Sequence, residues 1–444
     1  MLIAGALVFS RERILGVPNA DLIIFGGGIA GLWTLSEASR LGYRCILLEA
    51  FTLGSGQTIA SQGIIHGGLK YTLQGMMTGS ARRIREMPLI WRKSLAGEQR
   101  PDLSQTEIRS PHCYLWRTES LSSRLGMFGA KMGLQVVPQN LTPEHTPELL
   151  ANCPGSIGVM EEQVISPYSL ITNFADSFRN QIYKYDPEQL KFQFDANANI
   201  TAVQIQTATG EQLTIETAAV LLTAGRGNEV LRNQARRQAD STGSPCMQTR
   251  PLHMAMVRGA LPAFSGHCVD GAKTRVTITS DTDSKGRTVW QLGGQVAEMG
   301  VNMTRRELIP HAARELAACV PGIDLSELEW NTYAVDRAEG TTKSGLRPET
   351  PQILKEGNLL TAWPAKLALA PRLAEEICQN LSQMNVPPTA GDQSWTRAFS
   401  SLSRPEWHSR RGKPLRTGSR STILNLTQRR PERLWGTETC NTAI

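Results

Sequence analysis

Short apolar runs and helix-length amphipathic stretches alternate along most of this chain. Leu22-Ile23-Ile24-Phe25 is an unbroken apolar run, the mark of a strand covered on both faces. Residues 30–41 then carry apolar side chains at helical spacing and stop at Gly42, where a left-handed cap is wanted. Residues 44–48 read as a second strand, and 81–97 as an exposed, basic helix. Further on the pattern turns antiparallel. Residues 275–279 alternate polar and apolar, 280–286 are turn-rich and 287–292 resume the alternation, which predicts a hairpin with a longer loop. Residues 308–320 predict an amphipathic helix ended by Pro321-Gly322, 330–335 a strand, 358–362 a strand and 366–381 a helix. Beyond Pro387 the periodicity dissolves into Arg, Ser, Thr and Pro, and that stretch is expected to be disordered or loosely attached.

Strand and helix in this order predict an α/β fold. At 444 residues the chain exceeds the size of one hydrophobic core, so two packed domains are expected. No apolar run approaches the roughly 18–20 residues that cross a bilayer. The apolar opening, residues 1–9, lacks a preceding basic segment and a small-residue cleavage site, and it reads as a leader ahead of a fold that starts near Val17. Eight scattered cysteines, with no Cys-x-x-Cys pair and no His-Cys cluster, point to a reducing, cytoplasmic compartment and to no bound metal. The net charge of +7 is uneven: from Gly391 onward ten Lys/Arg stand against four Asp/Glu, so the body is nearly neutral.

Gly26-Gly27-Gly28-Ile29-Ala30-Gly31 fits G-x-G-x-x-G, directly after a strand and directly before a helix. Gly26 permits the tight turn, Gly28 lets backbone approach a pyrophosphate, and Gly31 allows close helix–sheet packing. The free N–H groups of the helix start, at Ile29 and Ala30, then face the phosphates. Glu49 ends the second strand 18 positions after Gly31, where a carboxylate accepts the ribose hydroxyls of an adenosine and repels a 2′-phosphate. These features alone define an adenine dinucleotide site and do not separate FAD from NAD.

The segment from Gly54 to Tyr71, with Ser61-Gln62-Gly63-Ile64-Ile65-His66-Gly67-Gly68 at its centre, resembles the corresponding stretch of the D-amino-acid oxidase / glycerol-3-phosphate dehydrogenase superfamily of flavoproteins. The nearest flavours are glycerol-3-phosphate and L-2-hydroxyglutarate dehydrogenases. Glu162-Gln163-Val164-Ile165-Ser166-Pro167-Tyr168, the stretch Val220 to Gly227 and the pair Gly345-Leu346-Arg347-Pro348 and Thr361 to Pro371 are similar to the family in the same order. The resemblance implies a Rossmann-like FAD-binding domain of glutathione-reductase type, with an inserted α+β substrate domain on a mainly antiparallel sheet. It implies boundaries at 18–95, 153–235 and 336–386 for the first, 96–152 and 236–335 for the second, and a basic tail at 387–444. It implies non-covalent FAD held by Gly26, Gly28, Ile29, Ala30, Gly31, Glu49, Ala50, Ser61, Gln62, Gly63, Ile65, His66, Gly67, Gly225, Lys366 and Leu367. Where the family more often has glycines, this chain reads Trp363-Pro364-Ala365-Lys366.

The resemblance further implies oxidation of a small anionic substrate (a 2-hydroxy acid, an amino acid or a polyol phosphate), with electrons passing to oxygen, a quinone or a carrier protein. Arg347 stands where the family grips an anionic group, and a guanidinium fits a carboxylate or phosphate bidentately. Arg337 is either a second such grip or an ion-pair partner of Asp336 or Glu339. His66 is either a base beside the flavin or a structural histidine bonded to backbone. His253 either lines the roof of the site or is a satisfied core histidine, the plainer account, while Tyr71 and Trp363 are expected to pack. Two other functions share the pattern: a flavin-dependent tRNA-modifying oxidoreductase and a non-catalytic flavin-binding subunit. The basic tail, with Trp395, Trp407 and Trp435, suits contact with nucleic acid or anionic lipid, and a solvated extension explains it more simply.

Overall fold

The apolar run at 22–25 forms the middle of a parallel sheet, and the chain is built outward from it. The computed structural model describes residues 17–67, 79–119 (79–85 by backbone alone), 139–155, 157–236, 246–270, 273–342, 345, 347–389 and 393–405. In the first sheet β17 (Gln352–Glu356), β18 (Leu359–Trp363), β11 (Gln212–Leu222), β1 (Asn19–Phe25), β2 (Cys45–Glu49) and β8 (Ile182–Lys184) lie side by side in that order. β10 (Ile200–Gln206) and β9 (Lys191–Phe194) extend it from β11. The four contacts from β18 through β8 are parallel, the arrangement that hides both faces of a sheet. One face is covered by the helices Ile29–Arg40, Pro167–Ser177 and Ala370–Gln383, in a core that includes Leu32, Trp33, Phe174 and Leu373. On the other face Phe25, Leu48 and Tyr183 pack with residues from β9, β10 and the chain's last described segment.

The second sheet is antiparallel except for one contact. Its order is β16 (Glu329–Gly340), β12 (Met247–Gly259), β15 (Thr288–Gly293), β14 (Lys273–Thr282), β13 (Gly266–Asp270), β4 (Cys113–Arg117), β6 (Gly158–Met160) and β5 (Gln139–Asn140). β13 and β4 run parallel. The hairpin expected over 275–292 is β14 and β15, paired from Thr277↔Gly293 to Thr282↔Thr288. The helix Arg305–Cys319, opened by a Thr304/Glu307 capping box, closes the core of this sheet over Trp290 and Leu292. A small ribbon, β3 (Ile108–Ser110) with β7 (Val164–Ile165), adds a third, two-stranded sheet. The α/β fold with a mainly antiparallel second unit is therefore present as expected.

Two expectations need correction. The helix Gly79–Leu95 is not simply exposed: Met87 and Trp91 are buried, Trp91 packs against Trp33, and its indole N–H donates to the Ala368 carbonyl at 3.0 Å. The stretch after Pro387 is not loose throughout. Thr389 donates through its N–H and hydroxyl to Asp21, and residues 393–405 lay Phe399 and Leu402 into the first sheet's core beside Tyr183. Residues 1–16 and 406–444 lie outside the described residues, as do Gly68 to Tyr71.

Candidate active site

The turn after β1 is shaped by glycines that no other residue replaces. Gly26 has φ +104°, and a Cβ there would lie 2.6 Å from the Ala224 backbone that crosses beneath it. At Gly31 a Cβ would collide with the Gly26 carbonyl, so the helix can start this close to the strand only with glycine. Gly28 is the extended N-cap residue, and the Ile29 N–H donates to Thr58 Oγ1 at 3.1 Å. Ala30 is buried in the first turn. Glu49, at the end of β2, accepts from the Gly27 N–H at 2.6 Å and the Phe51 N–H at 2.9 Å. Burial pushes its carboxyl pKa up, and those backbone N–H groups oppose the shift. Ala50 follows it, partly buried.

The next segment is fastened to the second sheet. Gln62 Nε2 lies within hydrogen-bond reach of the Thr277 carbonyl (3.3 Å), Thr279 Oγ1 (3.2 Å) and the Gln291 carbonyl (3.0 Å). The Ala338 N–H donates to Gln57 Oε1 and the Tyr333 hydroxyl to the Ala60 carbonyl, both at 3.1 Å. Ser61 donates to Thr58, closing a local turn. Gly63 has φ +72°, with the Ile165 carbonyl where a Cβ would stand. Ile65 is fully buried. The Gln62 side chain is thus committed to the second sheet.

His66 and Gly67 meet Glu162. The Gly67 N–H donates to Glu162 Oε1 at 2.7 Å, and Glu162 Oε2 lies 3.4 Å from His66 Nδ1 and 3.2 Å from His267 Nε2. Glu162 and His267 side chains are 4% and 3% exposed, while 38% of His66 is accessible. Burial raises the Glu162 carboxyl, but the two imidazoles more than reverse this and hold it well below the usual carboxylate range. The His66 pKa is lowered by its deep setting, with Glu162 opposing and Lys366 adding to the fall. The backbone-bonded reading of His66 is not what the structure shows, since its ring faces a carboxylate.

Arg337 and Arg347 converge with a third arginine that sequence reading missed. Arg250 is directly opposite Arg337 in the β12–β16 register. Glu339, 0% exposed, lies 3.7 Å from Arg250 Nη1 and 3.5 Å from Arg347 Nε, and neither of its oxygens makes a hydrogen bond. Arg347 also donates to the Ala365 carbonyl at 2.5 Å. Arg337 donates to the Arg250 carbonyl, and among the described residues it makes no ion pair; Asp336 instead pairs with Arg226. Burial first, then repulsion from Arg347 and Arg250, brings the Arg337 pKa down to about 10. Glu339 and, more weakly, Glu298 oppose that fall.

Lys366 acts on the His66 end of the site. It is buried, precedes the short turn Leu367–Leu369 that leads into the helix Ala370–Gln383, and acts electrostatically on His66. Leu367 packs partly buried against the first core. Ala365 holds φ +60°, a conformation in which the family's glycines are unstrained. Gly225 follows β11 with φ +57° and accepts from the Trp363 indole at 3.3 Å, so Trp363 packs as expected. His253 is satisfied by the Gly300 and Met303 carbonyls and the Thr332 hydroxyl, which makes it a core histidine. Thr58, Glu162, Arg250, Glu339 and His267 escaped sequence reading as site residues. Thr58 and Glu162 stood within motifs that were singled out, Glu162 as a helix entry, and Glu339 only as an ion-pair partner for Arg337.

The glycine turn, the acid at the end of the next strand and the Gly/Ser segment lie together, as a dinucleotide site requires. A family model described as FAD dependent oxidoreductase (DAO) matches residues 21–362, and the chain belongs to that family. It is accordingly an FAD-dependent oxidoreductase. A probable FAD-dependent oxidoreductase of Pseudomonas aeruginosa, PA4991, is 36% identical over 377 residues, covering 84% of this chain and 93% of the relative. Its crystal structure superposes with a TM-score of 0.73 over 89% of this chain and 97% of that one, at 32% identity. Glycine oxidase from Geobacillus kaustophilus shares the fold at 18% identity, with a TM-score of 0.59 over 87% of this chain and 99% of that one. An FAD-bound L-alpha-glycerophosphate oxidase from Mycoplasma pneumoniae does so at 14%, with the same score over 88% and 100%. Among the described residues no helix is long and apolar enough to cross a membrane.

Proposed function

We propose that this chain oxidises a small anionic substrate: a 2-hydroxy acid, an amino acid or a polyol phosphate. The observation that carries the reading is the convergence of Arg250, Arg337 and Arg347, in which Arg337 faces two like charges and makes no ion pair among the described residues. Like charges held together in a partly buried setting repel, and an anion offsets that cost. Arg337 has no carboxylate partner among the described residues, which suits it to take the anionic group, with Arg347 beside it. His66, held neutral and partly accessible, is suited to accept a proton from the substrate's hydroxyl or amine.

Bound FAD supplies the two-electron acceptor. In this reading Gly26, Gly28, Ile29, Ala30 and Gly31 hold its pyrophosphate without covalent attachment, and Glu49 and Ala50 its adenosine ribose. Ser61, Gln62, Gly63, Ile65, His66 and Gly67 line the ribityl chain and ring, Gln62 through its backbone because its side chain is engaged elsewhere. Gly225, Lys366 and Leu367 close the opposite side, with the Lys366 ammonium favouring the negative charge of a reduced flavin. Electrons then leave to oxygen, a quinone or a carrier protein. Cytoplasmic residence is consistent with the unpaired state of the seven described cysteines.

The test is anaerobic bleaching of the visible flavin band by a panel of 2-hydroxy acids, amino acids and glycerol phosphates. At least one anionic member should reduce the flavin, and its uncharged amide or dephosphorylated analogue should be at least tenfold poorer. Flavin that dithionite reduces but no member of the panel does would favour a non-catalytic flavin subunit instead.

A further inference from the structure

We propose that Glu162 is a positioning residue in a three-membered relay, His66–Glu162–His267, which takes the substrate proton and shares its charge with the protein interior. The proposal rests on the oxidase or dehydrogenase reading above. Its geometry is that of one carboxylate oxygen serving two imidazoles: Glu162 Oε2 is 3.4 Å from His66 Nδ1 and 3.2 Å from His267 Nε2, with the rings 5.8 Å apart. The other oxygen is fixed by the Gly67 N–H, so the carboxylate cannot turn away.

The tautomers follow from this arrangement. An ionised carboxylate only accepts, so both nitrogens facing it carry hydrogens: Nδ1–H on His66 and Nε2–H on His267. The outer nitrogen of each ring then holds a lone pair. On His267 that nitrogen is Nδ1, which accepts from the Thr277 hydroxyl at 3.0 Å. On His66 it is Nε2, on the one side chain of the three with appreciable exposure. The relay is thus closed at its buried end and open at His66, as a base serving a substrate must be. When the substrate is oxidised, its O–H or N–H bond breaks and an N–H bond forms on His66 Nε2. The substrate is left as a carbonyl or imine, and FAD, when bound, would take up the two electrons and the hydrogen lost from carbon. The resulting imidazolium lies against Glu162.

Other charges around the relay agree with this role. Burial and, more weakly, Lys366 disfavour protonation of His66 in the resting state, and Glu162 opposes them. Cys113, whose thiol pKa burial pushes well up, stays neutral beside Glu162. Sequence separation hid the constellation: Glu162 lies 96 positions from His66 and 105 from His267.

Glu162→Gln should separate a relay from a merely structural contact. With the amide oxygen held by the Gly67 N–H, the NH2 group faces and donates to both rings, which forces the opposite tautomer on each and removes the His66 lone pair from the open side. Expected is a loss of about 10²–10⁴-fold in kcat/KM, FAD affinity within about threefold of native, and an acid limb of the pH profile displaced to lower pH. Ring ¹⁵N resonances in the flavin-loaded protein should show both His66 and His267 changing tautomer or titration together, a readout that needs no substrate. Where Glu162→Gln does not fold, His267→Asn reads the relay from its buried end: losing an imidazole that lowers the His66 pKa should displace the acid limb to higher pH, with a smaller loss of rate. Unchanged ring resonances, or a rate loss with an unmoved pH profile, would overturn the relay. So would one equivalent of tightly bound Zn²⁺ in the native protein that Glu162→Gln abolishes, since these three side chains place donor atoms within 4.8 Å of one another. Failure of the whole panel to reduce the flavin, with ring titrations coupled as expected, would sink the substrate reading and leave the relay standing.

Discussion

At Glu339 two arginines of equal charge have opposite consequences for the fold. Arg347 lies 3.5 Å from this fully buried carboxylate, so its charge is compensated. Arg337 faces Arg250 and Arg347, and its lowered pKa reports that repulsion. Replacing Arg337 with Met should therefore leave the melting temperature unchanged or slightly raised. KM for the anionic substrate should rise by about 10–100-fold, the worth of one charge-assisted contact. Arg347→Met should instead destabilise by about 1–3 kcal/mol, because Glu339 keeps only the more distant Arg250. Thermal unfolding of the two variants beside steady-state kinetics checks both. Equal destabilisation, with unaffected KM, would show that all three arginines merely neutralise Glu339.

At the scale of elements, the phosphate turn was legible in the sequence and the arginine cluster was not. Gly26 through Gly31 act on each other and on the strand and helix that flank them, so a local motif carries their geometry. The same holds for the hairpin of β14 and β15. Arg250 and Glu339 meet only because β12 and β16 pair in one register over twelve positions, and nothing local to either residue announces that register. His267 reaches Glu162 through the neighbourhood of β13 and β4, again a non-local event. The turn's strictness is itself testable. Gly26→Ala combines a left-handed φ, costing about 1–2 kcal/mol, with a clash against backbone that cannot yield. Gly31→Ala carries the clash alone, at helical φ. Both should lose FAD affinity by at least tenfold in equilibrium dialysis, with Gly26→Ala also unfolding earlier. Native affinity in either variant would mean that the turn relaxes around the new methyl group.

Across the whole molecule, the tail divides at a point that composition concealed. Its Arg, Ser and Pro content extends from about residue 387 to the end, yet Phe399 and Leu402 sit within the first sheet's second core. Phe399 is fully buried between Tyr183 and Trp395, and Ser403 and Ser401 offer carbonyls to the Lys184 and Ala208 N–H groups. Two anchoring apolar residues among many polar ones do not make a periodic pattern, which is why their role was invisible. Phe399→Ala should cost about 3–5 kcal/mol, as for other large aromatic truncations in a core. A chain ending after residue 405 should unfold at the native temperature, whereas one ending after 389 should lose at least as much as Phe399→Ala. The cut after 405 removes eight Lys/Arg and three Asp/Glu, a net +5 of the chain's +7. Any salt-sensitive retention on RNA or anionic vesicles should disappear with that cut, without loss of flavin or of stability. Equal melting temperatures for the chains ending at 389 and 405 would show that the packed segment contributes nothing to the fold. Loss of flavin on removing 406–444 would assign that stretch to the cofactor domain.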